Sequence, residues 1–491
     1  MKETGKERKN REEENKQKST KRKNIPEIMG VTYFFILLFG ILVVYIGYFV
    51  YTEHEELINN VYNPRLEMIA KQNIRGTIYS KDNDILAETK VSKSGEETRV
   101  YPYENLFSHV VGYDTNGKLG IESLANYYLI TSDISVEEKA KNELNGEKSK
   151  ADSVVTTLDV DLQQAAYDAL GVYKGAAIIM EPSTGKILAM VSKPDFDPNE
   201  IQTIWDDIIH DDNSTVLLNR ATQGLYPPGS TFKILTALEY IRENPDTYQD
   251  YEYTCKGKFV IGDGSIQCYH GSVHGNVDLT KSFAKSCNSS FANIGIGLDY
   301  SAFAATLSKL LFNKELPVDF SYKQSNIAVN ANTSDTDMVQ MAIGQGATQM
   351  TPLHLAMITS AIANDGTLMR PYMIDRVLDA DGKIVKQYDA SEYDTLMTNE
   401  EASILTGFMK EVVESGTGTK LSGLSYTVAG KTGSAEYNGV KEDSHAWFTG
   451  FAPAENPEIE VTVILEGAGS GGDYAVPIAK RMMDAYFKKN K

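Results

Sequence analysis

Between Glu27 and Glu53 the chain runs for 25 residues, Ile28 to Thr52, without a charge, and the run is dense in Phe, Ile, Leu, Val and Tyr. As a helix it would span roughly 37 Å at about 1.5 Å per residue, enough to cross the hydrocarbon core of a bilayer. A cleaved signal peptide would carry a shorter apolar core ending in small residues, and Tyr48-Phe49-Val50-Tyr51 is no such site. Residues 29–52 therefore read as an uncleaved, single-pass anchor in the cell membrane, and no second span follows. Lys21, Arg22 and Lys23 precede it, whereas Glu53, Glu55 and Glu56 follow it. That asymmetry places residues 1–28 in the cytoplasm, as a charged and disordered tail, and everything after residue 52 outside.

Charge narrows the partners of the outer part. Residues 1–28 hold ten Lys/Arg against six Glu, which leaves 38 basic against 61 acidic residues beyond them. An acidic body lacks the basic stripe that phosphate binding needs, so nucleic acid is excluded. The stretch 74–92 alternates like a hairpin around Asp82-Asn83-Asp84, and the charged stretch Ser135 to Asp152 reads as a helix end and linker. These features predict a small domain over 53–150 and a larger one over 151–491. In the larger one, two apolar runs flank Pro182-Ser183-Thr184-Gly185, and three strands are predicted over 425–437, 445–453 and 458–467, followed by a helix over 475–489. Helical patterns fill the middle, from Thr231 to about 242, then 279–296, 336–364 and 400–414. The expected class is α+β, with one mainly antiparallel five-stranded sheet and a helical insertion.

Three short motifs can carry chemistry. Ser230-Thr231-Phe232-Lys233 follows Pro227-Pro228-Gly229, a helix-start signal. Three residues apart on a helix, Ser230 and Lys233 share a face, and a Lys driven toward neutrality by burial can take the hydroxyl proton. Ser286-Cys287-Asn288 offers a second hydroxyl and an amide. Lys431-Thr432-Gly433 lies in a predicted strand, where Lys431 and Thr432 suit a carboxylate, Gly433 leaves room for a ligand backbone, and the Ser434 amide can face an oxyanion. Each motif alone is commonplace. Gly430-Lys431-Thr432 is no phosphate loop, because Ser425 stands where that loop needs its first Gly. Neither G-x-S-x-G nor H-E-x-x-H occurs.

The chain has three cysteines. Cys255 and Cys268 bracket a Gly-containing hairpin and, outside the membrane, read as a candidate disulfide worth roughly 3 kcal/mol. With His270 and His274 their types also suit zinc; the disulfide is the preferred reading, and no metal or organic cofactor is expected. Cys287 should point away from the side on which Ser286 and Asn288 act, and pack.

Taken together, S-x-x-K, S-x-N and K-T-G in this order are the set of penicillin-binding proteins and serine β-lactamases. The chain resembles the class B penicillin-binding proteins, monofunctional peptidoglycan D,D-transpeptidases, and their short, small-pedestal members in particular. The resemblance extends over "RGTIYSKDNDILA" (75–87), "TTLDVDLQQAA" (156–166), "EPSTGKILAMVSKPDFDPN" (181–199), "NRATQGLYPPGSTFK" (219–233), "HGNVDLTKSFAKSCNSSF" (274–291), "IGQGATQMTPLHLA" (343–356) and "AGKTGSAE" (429–436). It departs at Ser80 and Asp84, where Asp and Gly are usual, and at Cys287.

The resemblance implies that Ser230 is acylated and that Lys233 is its base. Ser286 would relay the proton to the leaving amine, and Asn288 would hold the donor peptide's carbonyl. Lys431 would orient the relay and, with Thr432, bind the terminal carboxylate; the Ser230 and Ser434 amides would form the oxyanion hole. Peptidoglycan stem peptides are the implied substrates, β-lactams the implied inhibitors, and a polytopic membrane glycosyltransferase the implied partner. A D,D-carboxypeptidase or β-lactamase shares the motifs but uses water as acceptor, and a β-lactam-sensing receptor is the non-enzymatic alternative. The anchor, the pedestal and the short tail favour the transpeptidase.

Overall fold

The computed structural model describes residues 4–59, 64–262, 264–436 and 443–489, in backbone only for 21–28, 51–59 and 64–65. It divides into two units, residues 1–64 and 65–491. The first contains a single helix, Gly5–Asn59. Its stretch Met29–Val50 has a mean hydropathy of 2.4 and is, among the described residues, the one helix long and apolar enough to cross a membrane. The charged segment before it is helical, not disordered as expected. Glu12 and Lys16, and Glu14 and Lys18, stand four apart with the acid first, the spacing that supports a solvated helix.

The second unit is built on five strands, β1 (Gly175–Met180), β2 (Ile187–Lys193), β3 (Ala429–Ala435), β4 (His445–Ala452) and β5 (Ile459–Leu465). Their order is β3-β4-β5-β1-β2, and every neighbouring pair is antiparallel. The α+β expectation holds. Alternate residues of each strand enter different layers. Ala177 and Ile179 pack with the helices Val160–Leu170 and Val476–Lys489, while Ile178 and Met180 face Pro352–Ala363. Covered on both faces, β1 and β2 read as apolar runs rather than as alternation, whereas the edge strand β3, AGKTGSA, is buried without being apolar. The expected strand 425–437 begins only at Ala429, and Tyr437 lies outside the described residues.

The expected helix 279–296 is two helices, Leu279–Ala284 and Asn288–Gly297, because Ser286 has φ 54° and breaks it. The expected helix 336–364 is likewise divided, into Asp335–Met341 and Pro352–Ala363, around Gly344 and Gly346 with positive φ. A second, six-stranded sheet joins 384–387, 374–378, 153–156, 78–79, 85–91 and 97–100 in that order. Its hairpin pairs Ile78 with Ala87. Ser80 and Asp84, the two departures noted in the sequence, close that turn: Ser80 Oγ donates to Asp84 Oδ2 at 2.9 Å and accepts from the Asp82 and Asp84 amides. Between 135 and 152, Ser135 caps a helix, Val136–Asn145, that Gly146 ends in the left-handed region.

Candidate active site

Ser230 lies in a single 3₁₀ turn, Gly229–Phe232, that runs directly into the helix Lys233–Glu243. The turn is seated against the edge strand β3. Gly229 has φ 54°, and a Cβ there would come within 2.9 Å of the Ser434 carbonyl. A Cβ at Gly344 would stand 2.1 Å from the Gly229 carbonyl, and the Gly229 amide donates to Gly344 O at 2.8 Å. Only glycine at 344 lets the loop and the nucleophile turn approach this closely.

The Lys233 ammonium is the hub. Its Nζ lies 3.1 Å from Ser230 Oγ, 2.8 Å from Ser286 O, 3.2 Å from Ser286 Oγ and 2.6 Å from Asn288 Oδ1. Lys431 approaches from β3 and places its Nζ 2.9 Å from Ser286 Oγ. Ser286 thus stands between the two amines, positioned by the backbone break at its own Cα. A non-glycine residue in that region costs about 1–3 kcal/mol, a strain held by the surrounding structure. Both lysines are fully buried, and among the described residues neither forms an ion pair with a carboxylate. Burial pushes Lys233 down to about 8. Lys431 is driven well below its ordinary range, by burial first and by the charge of Lys233 second.

A cleft of about 660 Å³ opens on this cluster, lined among others by Ser230, Ser286, Asn288, Thr432, Ser434 and Thr417. The sequence-derived residues therefore converge. Two details differ from expectation. The space left by Gly433 is taken by the protein itself, since a Cβ there would stand 3.0 Å from Pro228 O and Thr231 Cγ2 and 3.1 Å from Trp447 Cβ. The Asn288 amide already donates one hydrogen to Gln267 O at 2.8 Å, leaving the other for a ligand.

Other contributors escaped the sequence reading. Thr417 Oγ1 lies 2.5 Å from Thr432 Oγ1, and Gly416 before it fits under the Ala284 carbonyl as no other residue could, at 2.2 Å from its would-be Cβ. The run Ser415-Gly416-Thr417-Gly418-Thr419 was the available signal. Trp447 Nε1 donates to Pro227 O at 3.1 Å, bracing the turn from β4. Cys255 and Cys268 carry free thiols with Sγ atoms 3.7 Å apart. Cys287 caps the helix Asn288–Gly297, accepting from the Ser290 amide, and is buried with Cys255 and Cys268.

Comparison with known proteins identifies the family. Residues 175–484 match the penicillin binding protein transpeptidase domain, and residues 75–154 the penicillin binding protein A dimerisation domain. The peptidoglycan D,D-transpeptidase PbpA of Mycolicibacterium smegmatis is 30% identical over 418 residues, covering 80% of this chain and 84% of the relative. The peptidoglycan D,D-transpeptidase MrdA of Haemophilus influenzae is 29% identical over 437 residues, covering 79% and 65%. Among solved structures, penicillin-binding protein A of Mycobacterium tuberculosis superimposes with a TM-score of 0.78 at 27% identity, over 85% of this chain and all of that one. Its penicillin G acyl-enzyme complex gives 0.76 at the same identity, over 84% of this chain and all of that one.

Proposed function

The chain belongs to the penicillin-binding protein transpeptidase family, and from that premise we propose that it is a peptidoglycan D,D-transpeptidase whose acyl-enzyme forms on Ser230. One observation carries the assignment: a buried amine, without a carboxylate partner among the described residues, 3.1 Å from a hydroxyl that lines the cleft. A lysine in that state can be neutral near physiological pH and accept the Ser230 proton as Oγ attacks the carbonyl between the last two D-alanines of a stem peptide. Ser286, between Lys233 and Lys431, passes a proton to the departing D-Ala amine. The amides of Ser230 and Ser434 receive the oxyanion, Asn288 the donor's amide carbonyl, and Lys431 and Thr432 its terminal carboxylate. A second stem-peptide amine then takes the acyl group and regenerates Ser230. β-Lactams acylate the same oxygen.

The relatives' names and the penicillin acyl-enzyme of a similar structure support this reading. The apolar helix fits a membrane anchor. The charge asymmetry around it supports a cytoplasmic N-terminus, with 53–150 as a pedestal and 151–491 as the transpeptidase domain outside. A polytopic glycan polymerase is proposed as the partner that makes the strands this enzyme joins.

Labelled penicillin applied to the full chain in detergent should bind one-to-one at Ser230, and Ser230→Ala should abolish it. A label that persists in that variant, or that maps to Ser286, overturns the assignment.

A further inference from the structure

Three cysteines and a histidine meet at one point beside the active site, where Cys268 and His274 also line the cleft. Cys255 ends the strand Glu252–Cys255, and Cys268 follows the strand Gly264–Gln267. His274 precedes the strand Gly275–Asp278, and Cys287 caps the helix Asn288–Gly297. The three thiols and an imidazole nitrogen all lie within 4.8 Å of one another. Cys255 Sγ is 3.7 Å from Cys268 Sγ and 3.4 Å from His274 Nδ1, and Cys268 Sγ is 3.8 Å from Cys287 Sγ. A tetrahedron with metal–sulfur arms of about 2.3 Å and a metal–nitrogen arm of about 2.0 Å has edges of about 3.5–3.8 Å. Three of the six pair distances, 3.4, 3.7 and 3.8 Å, match those edges, and all six stay within 4.8 Å.

We propose that this cluster is a structural zinc site, with Cys255, Cys268 and Cys287 as thiolate ligands and His274 bound through Nδ1. A disulfide would join one pair and leave the third thiol and the imidazole unaccounted for. Packing alone explains it no better, since the three buried cysteines form a cluster of their own apart from the apolar cores. The surroundings suit thiolates: the Gly257 amide points at Cys255 Sγ and the Ser290 amide at Cys287 Sγ, both at 3.4 Å, and Ser289 Oγ lies 3.2 Å from Cys268 Sγ. Such donors spread the charge that three thiolates bring to a dication. Binding releases the three thiol protons to solvent. With four protein ligands the ion has no open position, so it holds structure rather than activating water.

Its place gives it a second consequence. Cys287 is the residue between Ser286 and Asn288, and Cys268 follows Gln267, whose carbonyl receives the Asn288 amide. A metal here ties the left-handed turn at Ser286 to the hairpin beneath it. It is thereby a positioning device for the relay hydroxyl, though it never touches substrate.

Full-length protein purified in detergent without chelator should contain one zinc per chain by elemental analysis. Cobalt(II) in its place should give thiolate charge-transfer and tetrahedral ligand-field bands. Cys268→Ser should lose the metal, Ser289→Ala should weaken zinc binding by roughly tenfold or more, and His270→Ala should change neither. Stripping zinc from the wild-type chain should slow penicillin labelling several-fold, with recovery on adding zinc back. A folded wild-type chain that lacks zinc and gives no tetrahedral cobalt spectrum overturns the site, as does a Cys255–Cys268 disulfide in the native protein. Labelling that is indifferent to zinc removal overturns the positioning role.

Discussion

Two buried charge clusters in the second unit handle the same problem in opposite ways. In the six-stranded region, Arg75 and Arg99 converge on Glu122, whose carboxylate lies 2.5 and 2.7 Å from their guanidinium nitrogens and is fully buried. At the active site Lys233 and Lys431 also converge, but on the uncharged hydroxyl of Ser286. Burial works to raise the Glu122 carboxyl, and the two arginines outweigh it and hold it below its ordinary range. Nothing outweighs burial for the lysines, so they fall. A charge given its counter-ion stays fixed and serves architecture; an amine denied one becomes able to exchange a proton, and serves chemistry.

The sharpest way to break the contrast is to make the active-site cation permanent. Lys233→Arg keeps a positive charge that cannot be surrendered, so β-lactam acylation should fall by about 10²–10⁴-fold, the worth of a positioned base. Stopped-flow acylation would measure it, and a near-normal rate would mean the proton leaves by another route. The converse test removes the counter-ion shared by Arg75 and Arg99. Glu122→Gln strands two buried guanidiniums and should cost about 3–5 kcal/mol, seen as an earlier denaturant midpoint, while the surviving folded protein still acylates at its usual rate.

Acidity separates the two regions further. Below about 8 Lys233 is increasingly protonated, and its neutral fraction climbs from about 1% at pH 6 to about half at pH 8, so acylation should rise roughly 50-fold over that interval and then level. Lys431 and the thiols of Cys268 and Cys287 are the ionisable groups nearest this titration. Glu122 behaves otherwise. Its folded pKa is depressed, so its contribution is complete above the ordinary carboxylate range and is lost only as pH drops through the lower folded value. Rate and stability should therefore change in separate pH windows.

The smallest effect concerns the cost of the unpaired amine. A lysine whose pKa is lowered on folding weakens the fold below its folded pKa and regains that stability as pH rises toward the unfolded value. Lys233→Met should thus raise stability by about 1 kcal/mol at neutral pH while abolishing acylation. The gain should fade in alkaline solution, which thermal melts across pH would reveal.

How much of this was legible beforehand depended on sequence distance. Ser230 and Lys233 are one helical turn apart, so their meeting could be read from spacing alone. Strands β1, β2, β4 and β5 announced themselves because both faces are buried and the runs are largely apolar; β3, AGKTGSA, carries no such signal. The strand Ile374–Leu378 gave no such sign: it joins Ser153–Thr156 across more than two hundred residues, and only the register of a sheet not yet assembled selects it. The cysteine cluster was half visible. Cys255, Cys268 and His274 drew notice, yet His270 was grouped with them and Cys287 set apart. Its direction depends on the left-handed turn at Ser286, which no helical or strand periodicity encodes. The charged segment before the anchor misled in the other direction, since composition argued for disorder while four-residue pairing favoured a helix.

The glycines around the nucleophile turn bear on how the protein can change under drug selection. At Gly344 a side chain would strike the Gly229 carbonyl, and at Gly471 it would strike Gly433 O and Trp447 O, each at 2.3 Å. The obstacle in each case is main chain, which no compensating side-chain substitution can move aside. These backbone contacts around the nucleophile turn are therefore closed to stepwise mutation. Adaptation that spares the enzyme's own substrate must be sought in other side chains lining the cleft, such as Thr419, Gln345 and Lys420.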